Sequence, residues 1–132
     1  MMRFVPIMAL AVCYGVTAQA GFPKVPSNQM FELFQEGVLD EADNGRVYYL
    51  GLIAPEIAKG ARVGYEAANK DIDVLCEHYA LAKAMVPKDG GTPAHEVIIR
   101  LMDRAVEYGE VNPAVRQYMG FFDISKGTCV WH

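Results

Sequence analysis

If its first twenty residues are removed the chain keeps two cysteines, Cys76 and Cys129, and that pair restricts the fold more than any other feature of the sequence. Met1 to Ala20 has the make-up of an export signal. Arg3 gives a positive start, Phe4 to Ala18 an apolar run, and Ala18-Gln19-Ala20 a small-x-small cleavage pattern. Cleavage after Ala20 starts the mature protein at Gly21 and takes Cys13 away with the leader. The apolar run falls short of the roughly 20 residues that a membrane span needs. Leu10-Ala11-Val12-Cys13 has the outline of a lipoprotein site, but branched Val12 stands where a small residue belongs, so Cys13 is expected to be removed rather than lipidated. In an oxidising compartment the remaining pair is expected to form a disulfide. Closing a loop of about fifty residues contributes about 4 kcal/mol in the chain-entropy account.

The residues from Gly21 onward suffice for one domain and are too few for two independent cores. Without Arg3, eleven Lys and Arg stand against sixteen Asp and Glu, a formal charge of −5. Nothing in that balance suits nucleic acid: there is no basic stripe for phosphates, and Trp131 and the tyrosines do not interleave with bases. A mildly acidic exported protein is better matched to a basic protein partner.

Along the chain, Gly21 to Ser27 with Pro23 and Pro26 reads as an extended lead-in. Met30, Leu33, Phe34 and Val38 recur at helical spacing and predict a first short helix. Glu36, Asp40, Glu41 and Asp43 follow without a base, as a solvated loop between helices or, alternatively, a docking site for a basic partner. From Asn44 to Ala68 small and apolar residues at three- and four-residue steps predict helical packing, with Pro55 as a kink or a helix start. Val74 to Val86 predicts a further helix with Leu75, Tyr79, Ala82 and Val86 on one side. Thr92-Pro93 has the form of an N-cap and N1 pair, and Val97, Ile98, Leu101, Met102, Ala105 and Tyr108 form an apolar face ending at Gly109. Asn112-Pro113 opens a last helix through Val115, Tyr118, Met119 and Phe122, and a non-helical tail from Asp123 to His132 delivers Cys129. The expected architecture is therefore all-α, a small bundle of about five helices in one domain, 21–132, with one disulfide.

Candidate chemistry is sparse. Cys76, His78, Cys129 and His132 carry zinc-ligand side chains, but Cys-x-His is tighter than usual ligand spacing, and an exported thiol pair oxidises first, so no metal and no cofactor are expected. A Cys76 nucleophile would need a reduced thiol. Ser27 and Ser125 lack a nucleophile-elbow context. Glu96, Asp103 and Glu107 interleave with Arg100 and Arg104 at helical steps, which predicts an ion-paired face rather than catalytic carboxylates. No enzymatic activity is expected.

The order of features, Tyr48-Tyr49-Leu50-Gly51 as a Tyr-x-x-Gly segment running into a small-residue helix, then Cys76, an amphipathic helix and Cys129, resembles the Rap/Tai group of bacterial type VI secretion immunity proteins. An earlier cysteine pair common in that group is missing here. The resemblance implies a small helical periplasmic protein that binds and blocks a peptidoglycan-cleaving effector. On this basis the expected function is an exported, non-enzymatic immunity protein that occludes the active site of a secreted cell-wall hydrolase, with Glu36, Asp40, Glu41 and Asp43 as contact surface and a homodimer left open. The alternative is a periplasmic holdase that exposes apolar surface as its carboxylates protonate in acid.

Overall fold

The computed structural model describes residues 21–41 and 45–132. They build a five-stranded mixed sheet crossed on one face by a single long helix, so the predicted bundle of about five helices is not the fold. The strands are β1 (Glu32–Glu41), β2 (Gly45–Ile53), β3 (Glu96–Met102), β4 (Gln117–Asp123) and β5 (Val130–Trp131), and they lie in the sheet in chain order. Only β2 and β3 run parallel, and the chain between them carries the helix. Every other neighbouring pair is antiparallel.

The helix is one rod in three parts: α1 (Tyr65–Leu75), a π-helical turn (Cys76–Ala80) and α2 (Leu81–Met85). Ala68, Ile72, Leu75, Cys76, Ala80 and Ala84 form its fully buried face. They pack on Leu50 and Leu52 of β2, Val97, Ile99 and Leu101 of β3, and Phe122 of β4. The approach is close enough that β4 needs a glycine: a Cβ on Gly120 would lie 2.5 Å from Cγ2 of Ile72. The lead-in predicted before β1 is held to the helix through buried Asp71. Its carboxylate accepts from the Ser27 N–H at 3.0 Å, from the Ser27 hydroxyl, and from Gln29 Nε2 at 2.7 Å.

Each helix that the sequence suggests outside 65–85 is replaced for a local reason. The first becomes β1, where a register shift between Leu33 and Gln35 inserts an extra residue opposite β2. Such a bulge breaks strict alternation, so its apolar residues fall at helix-like steps. The Thr92 helix becomes β3. It is covered on both faces, and all of Val97 to Met102 is buried, which leaves a continuous apolar run with no alternation to read. Its supposed ion-paired face dissolves with it: Arg100 is only 1% exposed, while Asp103 bonds its neighbour Arg104. The last helix becomes β4, and the Asn44–Ala68 stretch becomes β2, a 3-10 turn at Pro55–Ile57 and the start of α1. Asn44-Gly45 between two apolar runs is a hairpin sequence, and Gly45 takes φ +75° at the start of β2.

The sheet face away from the helix is covered by the 103–116 connection. Val106 and Val115 pack against Met102, with Phe34 and Ile53 beside them. Beneath this cover Arg100 spends its donors on Gln117 Oε1 at 2.7 Å, the Tyr49 hydroxyl at 3.2 Å and the Glu107 carbonyl at 3.4 Å. Tyr49 lies across Gly51, where a Cβ would come within 2.9 Å of the phenol oxygen. The Tyr-x-x-Gly segment is thus a piece of strand: Tyr48 faces the helix, while Tyr49 and Gly51 share the opposite face.

At one end of the sheet β5 is stapled down. Cys76 and Cys129 form the expected disulfide, with 6.3 Å between their Cα atoms. Trp131 packs on Phe122 and donates its indole N–H to Asp73. Among the described residues no helix is long and apolar enough to cross a membrane.

Candidate functional site

At the opposite edge of the sheet β1 is paired on one side only among the described residues. Between β1 and the last two turns of the helix lies a hollow of about 490 Å³ walled by Glu36, Val38, Tyr48, Ala82, Lys83 and Val86. Glu36 and Val38 occupy one face of β1 because they pair with Leu50 and Tyr48 of β2, which face the helix. Tyr48 is 3% exposed and donates its hydroxyl to the Glu36 carboxylate. Burial first, and then Glu36, push the Tyr48 phenol far above its ordinary pKa, so it stays a donor at any physiological pH. Tyr79, from the π-helical turn, is raised by burial and by the charge of Glu36 as well. It also supports the cleft mechanically, with Phe22 4.9 Å from its ring and the Lys83 ammonium 4.9 Å above it.

At the rim, Arg46 of β2 ties three segments together. It bonds Asp40 at 2.8 Å, the Asp89 carboxylate and the Thr92 carbonyl at 2.8 Å. The hydrogen bond from Arg46, and that from the Gly91 N–H, hold Asp89 below the usual carboxylate range.

On the far face of β1 a second hollow, of about 450 Å³, is lined by Phe34, Gln35, Leu39, Tyr49 and Tyr108. The two tyrosine rings meet edge to face at 4.9 Å. Gln35 donates to Glu107 at 3.0 Å, and its buried Oε1 has no donor among the described residues.

The four acids expected to form one docking surface are therefore distributed. Glu36 is half-buried in the first hollow, Asp40 is ion-paired to Arg46, Glu41 lies exposed at the strand end, and Asp43 falls outside the described residues. Glu36, Asp40 and Glu41 belong to a strand, not to a loop between helices. The zinc-ligand set also separates: the cysteines are bridged, His78 is exposed on the helix, and His132 contacts Glu96 at 2.8 Å. Val38, Val86, Gln35 and Tyr108 were marked by no site motif, and Tyr48 only as the start of the Tyr-x-x-Gly segment. The signal that could have found them is the β-branched and aromatic content of 47–53 next to Asn44-Gly45, which predicts a hairpin and hence an edge strand.

Residues 8–132 match the profile of DUF6497, a family of unknown function. The chain belongs to that family. No curated protein and no solved structure matches it. The DUF6497 match spans the whole sheet, the helix and both cysteines, so the two hollows lie inside the region that it covers.

Proposed function

We propose that this chain is an exported, non-catalytic protein-binding module that takes its partner along β1. One observation carries the reading: a ten-residue outer strand, paired on one side only among the described residues, with a hollow on each of its faces. The Cys76–Cys129 bridge supports export, since structural disulfides persist in oxidising compartments. Removal of Met1 to Ala20 at Ala20 is part of the same proposal. The narrower reading, an immunity protein that occludes a cell-wall hydrolase, came from a resemblance whose implied helical fold differs from this one. It becomes the reading of choice if the partner is such an enzyme and binding stops its hydrolysis.

The test is capture of a stoichiometric partner from the native envelope, followed by photocrosslinking of the purified complex from Leu39 on β1 and from Lys126 in the β4–β5 turn. Crosslinks from Leu39 and none from Lys126 support the reading. A partner reached only from Lys126 would sink it.

A further inference from the structure

We infer that the strip between α1 and β5 is a saccharide-binding platform whose ligand is a neutral β-1,4-linked glycan. The strip lies at the sheet edge away from β1, so it is a second site, independent of the protein-binding reading. A shallow hollow of about 500 Å³ runs along it, lined by Tyr65, Glu66, Asn69, Lys70, Asp73 and Trp131. Two of these six are large aromatic residues left in solvent, Tyr65 at 64% exposure and Trp131 at 43%. Trp is on average a well-buried residue, and aromatic residues left exposed together around one hollow mark a binding surface.

Helix periodicity sets the geometry. Tyr65, Asn69 and Asp73 recur at four-residue steps and so share one face of α1, with Glu66 and Lys70 in the neighbouring row. Trp131 closes the far end of that face, because its indole N–H bonds Asp73. Helical rise places Tyr65 about 12 Å along the axis from Asp73 and the indole, a distance that a short chain of linked pyranose rings spans. In a β-1,4-linked chain each sugar is turned over relative to the last, so sugars two apart offer the same apolar C–H face to one side. Two aromatic residues separated by polar side chains match that pattern. Among the described residues the side chains of Glu66, Asn69 and Lys70 have no partner, and Asp73 gives only Oδ1 to the indole. Donors and acceptors are thus left for hydroxyls, and because the lining carries both signs it favours a ligand that hydrogen-bonds over one that is itself charged. Both rings are braced. Trp131 lies on Phe122 at 4.6 Å and over Gly120, where a Cβ would come 3.0 Å from its Cη2, and the bridged Cys129 holds its strand. Tyr65 meets Tyr118 edge to face at 5.6 Å. Rings already held in place lose little freedom when a ligand stacks on them.

Trp131 is the only tryptophan in the sequence, so its emission reads the site directly. The test titrates the oxidised, exported protein with chitotetraose, chitobiose and maltotetraose, following Trp131 fluorescence and the amide shifts of 15N-labelled protein. Chitotetraose should give a saturable change in emission, with shifts confined to 65–73 and 130–131. It should bind about tenfold more tightly than chitobiose, which reaches one ring only. The bent, α-linked maltotetraose should bind no better than chitobiose. Tyr65→Ala changes an exposed side chain and should leave the fold intact. It should erase the advantage of chitotetraose over chitobiose while chitobiose binds as before. Unchanged emission at several millimolar chitotetraose, or shifts elsewhere on the sheet, would overturn the site. Equal binding of chitobiose and chitotetraose by the unmutated protein would overturn the two-ring platform. Maltotetraose binding as tightly as chitotetraose would overturn the β-1,4 assignment.

Discussion

The two edges of this sheet solve the same problem in opposite ways. β5 is two residues long, tied covalently to the helix through neighbouring Cys129, anchored by Trp131 on Phe122 and Asp73, and followed by the His132–Glu96 contact. β1 is ten residues long, carries exposed Leu33 and Leu39, and has a hollow on each side. A long edge strand is an aggregation hazard that folded proteins blunt with charge, bulges or cover, and β1 carries four carboxylates and a bulge in place of a covalent tie. The disulfide secures the two-residue edge, while the ten-residue one is paired on one side only among the described residues, and on the proposed reading the first end is structural and the second binds the partner.

Mutations at the two ends should differ accordingly. The largest effect belongs to the closed end: Cys129→Ser, with Cys76→Ser beside it to avoid a stray thiol, should cost up to about 4 kcal/mol. Urea unfolding would measure it, and amide exchange should rise first around β5. Gly120→Ala should cost about 1–3 kcal/mol by forcing Ile72 and the helix off β4. A loss below a few tenths would mean that the helix is not held tightly against the closed half. At the open end, Tyr48→Phe removes the donor to Glu36 and should cost about 1 kcal/mol. The larger consequence there should be weaker partner binding, visible by calorimetry.

A pH effect should appear between the ends, in the 103–116 cover. Burial pushes Asp103 up, but Arg104 and the Arg116 N–H outweigh it and leave its pKa below the usual 3.8. Because the folded value is the lower one, the stabilisation is complete above the usual value and is lost as pH falls through the folded one. Acid titration followed by the fluorescence of Tyr108 should show this cover loosening only below about pH 4, and Asp103→Asn should remove the transition. The smallest effect should come from Leu39→Lys, within about 0.5 kcal/mol in stability, yet it should weaken binding of a partner taken along β1, as calorimetry would show.

What the sequence revealed followed from covalent and terminal signals. The cysteine pair, the Pro-bearing lead-in and a helix through 74–86 were all legible. The strands were not, because each departs from simple alternation for its own reason. β1 contains a bulge, and β3 is buried on both faces. In β2, Gly51 sits under the Tyr49 ring and resembles a small helix-packing residue. Helical period and two-sided burial produce the same apolar density over seven residues, and only the β-branched pair Ile98-Ile99 and the Asn44-Gly45 dipeptide in the sequence separate them. The site was half legible. Glu36, Asp40 and Glu41 were visible as an acidic run, while the tyrosines and valines that turn that run into a two-sided edge became adjacent only once the strands were paired.

The bridge between Cys76 and Cys129, 53 residues apart, also divides the chain mechanically. β3 and β4 lie inside a covalent ring, whereas β1, β2 and α1 lie outside it. Tension applied between Gly21 and His132 would peel the β1–β2 hairpin and α1 while the ring carried no load. Roughly 180 Å of contour would stay hidden until a reductant opened the bridge. A pull transmitted through a partner on β1 would thus extend only the open half of the molecule.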